Sequence, residues 1–344
     1  MRTCCLALLI ACSDTPPPRL IADDPSDAPL AELDAEQTRR FALGDAAFEL
    51  VFREAQGLGP RFIRRSCTGC HAEDARGPGM VHRLADGTLL RPRSTEGVPD
   101  LIPHDTQRRF GPPVFGRGYV EAVSDSELER VAEIQAPHPH VSGRVPRLDD
   151  GSVGRFGLKA RLATLEQFVA DAYLNDMGIT SPHRPHEEGE DAKPGVDLDD
   201  DVVEQVADYV RMLAIPRRED VEGAELFERA GCATCHVPTL KTRRDYPVRQ
   251  LAGIDAPIYS DLLLHDMGAE LADGIAEGAA TGTEWRTAPL IGLRHMSAYL
   301  HDGRAETVRD AIRLHGGEAE FVHERLRELG TASENQLIRF VESL

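Results

Sequence analysis

Along the chain, stretches in which apolar residues return every three or four positions alternate with stretches in which they do not. Phe41, Phe48, Leu50, Val51 and Phe52 predict a helix over 31–56, stopped by Gly57-Leu58-Gly59-Pro60. Leu162, Leu165, Phe168, Val169, Ala172 and Tyr173 share one face of a helix predicted over 162–176, which Gly178 ends. Val202, Val203, Val206, Tyr209, Val210 and Leu213 make 200–214 an amphipathic helix closed by Pro216. Shorter helices are predicted over 126–134, 222–229 and 307–314. A last one over 333–344 has Ser333 and Gln336 placed as a capping box. No segment carries a strong strand pattern, so the expected fold class is all-α.

Between these helices lie long irregular segments. Residues 72–154 are rich in Gly, Pro, Arg and His, and 239–289 are again loop-rich. Loops of that length are unusual in a compact domain unless they serve a function. The acidic, aperiodic stretch 187–201 reads as a solvated linker, and a domain boundary is placed near residue 215.

Two short motifs explain what the loops enclose. Cys67-Thr68-Gly69-Cys70-His71 is matched by Cys232-Ala233-Thr234-Cys235-His236. C-x-x-C-H is the attachment signature of c-type haem: two thioethers fix the porphyrin, and the adjacent histidine binds the iron. The bland alternatives are a redox dithiol or a zinc site. A zinc ribbon joins its two pairs through a much shorter loop, whereas Cys67 and Cys232 lie 165 positions apart, and each pair carries its own histidine. Two covalently bound c-type haems, with His71 and His236 as iron ligands, are therefore expected. The fold becomes two cytochrome c-like haem domains, 31–215 and 216–344, with long haem-wrapping loops.

Composition adds three constraints. The net charge of −19 argues against a nucleic-acid partner and suits a basic redox protein. Aromatic content is 5%, so the haems are expected to form a large part of the core. Of seven cysteines, four belong to the motifs and the others are Cys4, Cys5 and Cys12, which leaves none for a structural disulfide in the body. Covalent haem attachment in bacteria takes place outside the cytoplasm, so this reading requires export. The apolar run 4–11 is too short to span a bilayer. Leu9-Ile10-Ala11-Cys12 resembles a lipoprotein cleavage box, and Ser13 after it points by resemblance to the outer membrane. Residues 1–30 are thus expected to be a short signal and a Pro-rich tether, with the membrane reached only through a lipid at Cys12.

Further segments carry a family resemblance. Leu300-His301-Asp302-Gly303-Arg304 followed by a helix resembles the second-haem domain of bacterial di-haem cytochrome c peroxidases. Gly154-Arg155-Phe156-Gly157-Leu158-Lys159-Ala160, Asn175-Asp176-Met177-Gly178-Ile179, Leu264-His265-Asp266-Met267-Gly268 and Trp285-Arg286-Thr287-Ala288-Pro289-Leu290 are similar to a branch described as di-haem thiol oxidoreductases or peroxidases. The resemblance covers about 42–344. In the peroxidases, a distal ligand lies fourteen positions after the histidine of the first of these segments, which here selects His315; His265 and Met267 are the other candidates. Where the peroxidases commonly use methionine, this chain has histidine, which should lower the potential.

The two halves echo one another. Aligning Thr307 with Thr164 puts Ala172 opposite His315, so the first haem lacks an obvious strong distal ligand. Asp176 is the nearest acid for proton transfer, Met177 is a possible ligand, and Lys159 is a ligand or a charge over the pocket. Arg155, Arg286, Arg294 and Arg304 are candidates to pair with haem propionates, and Trp285 to lie between the haems. The expected function is an exported di-haem oxidoreductase. Its C-terminal haem exchanges electrons with a cytochrome c or cupredoxin-type protein, and its N-terminal haem reduces peroxide or oxidises a thiol. The competing reading is a di-haem electron carrier. A haem-based sensor would need an effector domain, for which the chain has no room.

Overall fold

The computed structural model describes residues 28–59, 65–71, 80–83, 89–90, 105–186, 195–219 and 221–344. The lipidation box with Cys12 and nearly all of the 1–30 tether lie outside the described residues, as do 187–194 of the acidic linker. The helices in chain order are α1 (Ala35–Glu49), α2 (Arg117–Ala122), α3 (Asp125–Gln135), α4 (Leu165–Met177), α5 (Asp200–Met212), α6 (Ala224–Arg229), α7 (Val308–Arg313) and α8 (Phe321–Glu342). The strands are short: β1 (Met80–Arg83), β2 (Leu89–Leu90), β3 (Asp105–Arg108), β4 (Leu240–Lys241), β5 (Asp255–Ala256), β6 (Leu264–Asp266) and β7 (Glu284–Arg286). They form antiparallel sheets in the orders β2-β1-β3, β4-β5 and β6-β7. The all-α expectation is thus corrected to a mixed fold, about 40% helical with few, short strands. Pairs of two to four residues are too brief for alternation to show in a sequence.

The helices start where side chains can satisfy their first amides. Asp34 caps α1 and Thr164 caps α4, each in a capping box closed by a glutamine three residues on. Gly178 adopts φ 67° just past α4, a left-handed turn that only glycine takes freely. α1 is shorter than its pattern suggests because the Phe52 amide leaves the helix to bond the Arg65 carbonyl, 2.7 Å away, beside the first motif. At the other end, α8 begins twelve residues earlier than expected and is broken at Gly330 (φ 77°, ψ 163°). Ser333 lies inside it, and Gln336 bonds the Glu222 carbonyl in place of capping.

Among the described residues, packing builds two large apolar clusters and a small third one of Ala160, Leu264 and Ala280. In the larger, Phe41 and Phe48 of α1 close on Tyr209 of α5, with ring centres 5.0 and 5.1 Å apart. Leu240, Leu251, Ile258 and Leu263 join this cluster, so the chain after residue 215 supplies part of the N-terminal core. The smaller of the two large clusters unites Phe227 of α6, Val308 of α7 and Leu337, Phe340 and Val341 of α8.

A buried ion network ties the larger cluster together. Arg211 on α5 reaches Glu121 on α2 (2.6 Å), Glu166 on α4 (2.6 Å) and Asp208 (2.9 Å). The Tyr246 hydroxyl and the Leu165 amide also donate to Glu121. Burial opposes ionisation of Glu121, but Arg211 and these donors outweigh it and hold its pKa below the usual range. Arg211→Leu should therefore leave a buried, uncompensated carboxylate and cost about 3–5 kcal/mol in urea unfolding. Because the folded pKa of Glu121 is depressed, its stabilisation is present above the ordinary carboxylate range and lost as the pH falls through it. The variant should show a flatter acid limb, and an unchanged pH profile would count against the network.

Candidate functional site

Each motif folds as a single helical turn. The Cys70 and His71 amides bond the Cys67 carbonyl at 3.0 and 2.9 Å, and His236 bonds the Cys232 carbonyl at 2.9 Å. Residues i, i+3 and i+4 of such a turn share a face, so both thiols and the imidazole of each motif line one cavity. The second cavity is the larger of the two.

In the second cavity two histidines face each other. The rings of His236 and His315 are 6.4 Å apart, centre to centre. One iron between them would need about that span, since each metal–nitrogen bond is about 2 Å and the ring centre lies roughly 1 Å behind the nitrogen. Nδ1 of His236 meets the Tyr259 carbonyl at 3.0 Å, and Nδ1 of His315 meets the Ala311 carbonyl at 2.7 Å. Each bond fixes the ring and leaves Nε2 as the available ligand atom. Tyr259 holds its carbonyl there from a left-handed backbone, φ 48°. Desolvation lowers both imidazole pKa values, that of His236 to about 4, so the rings are neutral, as metal ligands must be.

The first cavity repeats the frame without the second histidine. Thr164 and Thr307 cap α4 and α7 in the same way. Ala311, Ile312 and His315 line the second cavity, and their counterparts Phe168, Val169 and Ala172 line the first. Asp176 and Met177 also line the first cavity; Met177 is buried and Asp176 half-buried. Sequence reasoning gave Tyr173 only a packing role. It lines this cavity 1% exposed, and its hydroxyl has no hydrogen-bond partner among the described residues. A helix-face pattern cannot tell a core tyrosine from one aimed into a cavity.

Other candidates fall elsewhere. Lys159 lines neither cavity. Its ammonium bonds the Thr281 and Glu284 carbonyls at 2.7 and 2.9 Å, sits 3.4 Å from Asp273, and lies 4.1 Å from the Trp285 ring centre. Burial pulls its pKa down to about 8, partly offset by Asp273. His265 lines the second cavity with both nitrogens engaged, at 2.9 Å to Asp261 and 2.8 Å to Glu318. Burial opposes its charge, but Asp261 and Glu318 outweigh it and push the pKa up to about 12. That makes an imidazolium, which has no lone pair for iron. Met267 lines the second cavity from the loop after β6. Arg304 is exposed and paired with Asp302, Arg294 with Glu219, and Arg155 with Asp125, all away from the cavities.

Two further groups border both sites. Trp285 lines the second cavity, stacked 3.8 Å from His301, and lies 5.4 Å from the Arg109 guanidinium, which lines the first. Pro112, Pro113, Arg117 and Leu158 line both cavities and form a shared partition. The His301 loop is pinned to that side. The Phe110 amide bonds the His301 carbonyl at 2.8 Å, and a Cβ on Gly303 would come within 2.6 Å of the Phe110 ring. Thiol pairs, imidazoles and apolar walls together fit a haem in each cavity, which Cys67, Cys70 and His71 would hold in one and Cys232, Cys235, His236 and His315 in the other.

The family to which the sequence is matched agrees with that fit. Residues 99–344 match the family model described as "Di-haem oxidoreductase, putative peroxidase". No curated protein matches the sequence. A solved chain of hydrazine synthase from Kuenenia stuttgartiensis is similar over 100% of both chains, at 14% identity and a TM-score of 0.43. On the geometry, His315→Ala should turn one low-spin haem high-spin in electron paramagnetic resonance spectra and leave the other unchanged. His265→Gln should leave both spin states alone while lowering stability, because Asp261 stays buried without its cation. The reverse assignment of the two variants would make His265 the ligand.

Proposed function

The chain belongs to the di-haem oxidoreductase family, and we propose that it is an exported c-type member whose second haem passes electrons to or from the first, where the chemistry occurs. The observation that carries this reading is the inequality of the cavities. One has two opposed histidines; the other has Ala172 at the position equivalent to His315, beside Asp176. Haem, when bound, supplies the electron exchange, and the number of side chains the protein sets against its iron decides whether an external molecule can take part.

Hydrogen peroxide is the preferred oxidant. Its reduction to two waters breaks the O–O bond and consumes two electrons and two protons. The protein's own part is to bind, to exclude water and to deliver protons. Phe168, Val169 and Met177 give the first cavity an apolar wall. Asp176 offers a carboxyl oxygen that gives up a proton to a departing oxygen and regains it from solvent, as its half-buried position permits. The Tyr173 hydroxyl is the second polar group available to the bound molecule. Thiol oxidation in the same cavity is the alternative reaction. One observation favours the electron-carrier reading: Met177 is buried and lines the first cavity, where a thioether could close the site.

The partner follows from charge. A protein carrying a net −19 attracts a small basic cytochrome or cupredoxin. Attachment through Cys67, Cys70, Cys232 and Cys235 requires the periplasm, with Cys12 lipidated and anchored in the outer membrane.

The native protein should show by mass spectrometry two covalent haems and a lipid on an N-terminal Cys12. No added haem mass would end the c-type reading, and an unmodified N-terminus would end the anchor alone. Asp176→Asn should leave haem content and spectra nearly unchanged and lower peroxide turnover ~10²–10⁴-fold. Ala172→His should make the first haem low-spin and nearly inactive with peroxide. If Met177→Ala instead turns a low-spin first haem high-spin and raises peroxide reactivity, the electron-carrier reading takes over.

A further inference from the structure

Two arginines carry charge that the protein itself does not balance. Arg117 is 3% exposed and Arg286 6% exposed. The comparably buried Arg109 and Arg211 each meet at least one carboxylate. Among the described residues, neither Arg117 nor Arg286 has a carboxylate within ion-pair distance. Arg117 bonds the Phe115 carbonyl through Nε at 3.3 Å. Arg286 bonds the Gly157 carbonyl through Nε at 3.2 Å and the Thr287 carbonyl through Nη1 at 3.0 Å.

The two cations are also close enough to repel. Burial, and then the neighbouring Arg286, pull the pKa of Arg117 down to about 9; burial pulls that of Arg286 to about 10, partly offset by Asp261. Both stay charged at neutral pH. A buried guanidinium without a counterion is strongly unfavourable, and a pair of them more so. Five donors in a rigid fork match a carboxylate best.

Their placement says where that carboxylate comes from. Arg117 opens α2 on the partition and lines both cavities; Arg286, on β7, lines the second. The Arg286 amide bonds the Leu158 carbonyl at 3.0 Å, so its strand is laced to the same partition. We propose that Arg117 and Arg286 form a carboxylate dock for haem propionates, in which Arg117 accepts a propionate from each haem and Arg286 holds one from the second. The proposal rests on the two-haem reading of the cavities. Adding an electron to either haem makes it more negative, so a guanidinium shared between them stabilises both reduced forms.

Spectroelectrochemical titration of the holoprotein tests this, with haem content measured alongside. Arg117→Gln should lower both midpoint potentials by about tenfold in equilibrium constant, ~59 mV for a one-electron couple. Arg286→Gln should lower only that of the second haem, and Arg117→Lys should recover most of the loss. If Arg117→Gln carries two haems and moves one midpoint or neither, the shared dock is wrong. A wild type without two haems overturns the reading beneath it instead. Should the glutamine variant fail to fold, wild-type protein carrying haem labelled with ¹³C at its propionates is read by infrared spectroscopy. Docked propionates stay ionised at the ordinary carboxylate pKa of about 4.3, and half-protonated ones there would overturn the dock.

Discussion

Two carbonyl groups set the terms for the second cavity. An imidazole can serve a metal only if its other nitrogen is held, because a free ring rotates and shares its protons with water. The Tyr259 and Ala311 carbonyls hold His236 and His315 by Nδ1, and the fold is arranged to keep those oxygens in place. Tyr259 adopts a left-handed backbone for it, while Ala311 needs only the last turn of α7. α6, α7 and α8 then pack around a cavity in which apolar cluster and ligand site are the same residues, Val308 and Val341 among them. A chain with 5% aromatic residues has little else from which to build a core there.

The first cavity uses the same frame to a different end. The threonine cap and the apolar positions after it recur, while the second imidazole does not, and Asp176 stands where the second half has Ala319. The capped helix in this position sets the register in which Ala172 lines one cavity and His315 the other. Along one side of this cavity, Arg109, Asp273, Glu277, Arg161 and Asp171 form buried ion pairs that keep α4 and the loop of 273–277 in fixed relation.

Much of this was legible in the sequence, and the reasons for the rest are physical. The C-x-x-C-H motifs showed because their chemistry needs adjacent residues, and α4 and α5 because each buries one continuous face. His315 could be singled out because motif spacing survives where composition says nothing. Lys159, expected as a ligand or a charge over the pocket, lines neither cavity because two carbonyls and an indole ring cradle its ammonium, contacts that no local pattern signals. Arg304 and Arg286 look alike in sequence. Only the fold gives Arg304 an aspartate and denies one to Arg286. Arg117 carried no signal at all, since nothing local marks a helix-opening arginine that ends up between two cavities.

That partition has a consequence for how such a protein changes over generations. Pro112, Pro113, Arg117 and Leu158 belong to both cavities at once, so no substitution among them is private to one. Ala172 on α4 and His315 just past the end of α7, by contrast, each line a single cavity. Variation that retunes one half without disturbing the other has its freest path through α4 and α7. The shared wall is left to drift slowly, as a hinge would between two rooms refurnished separately.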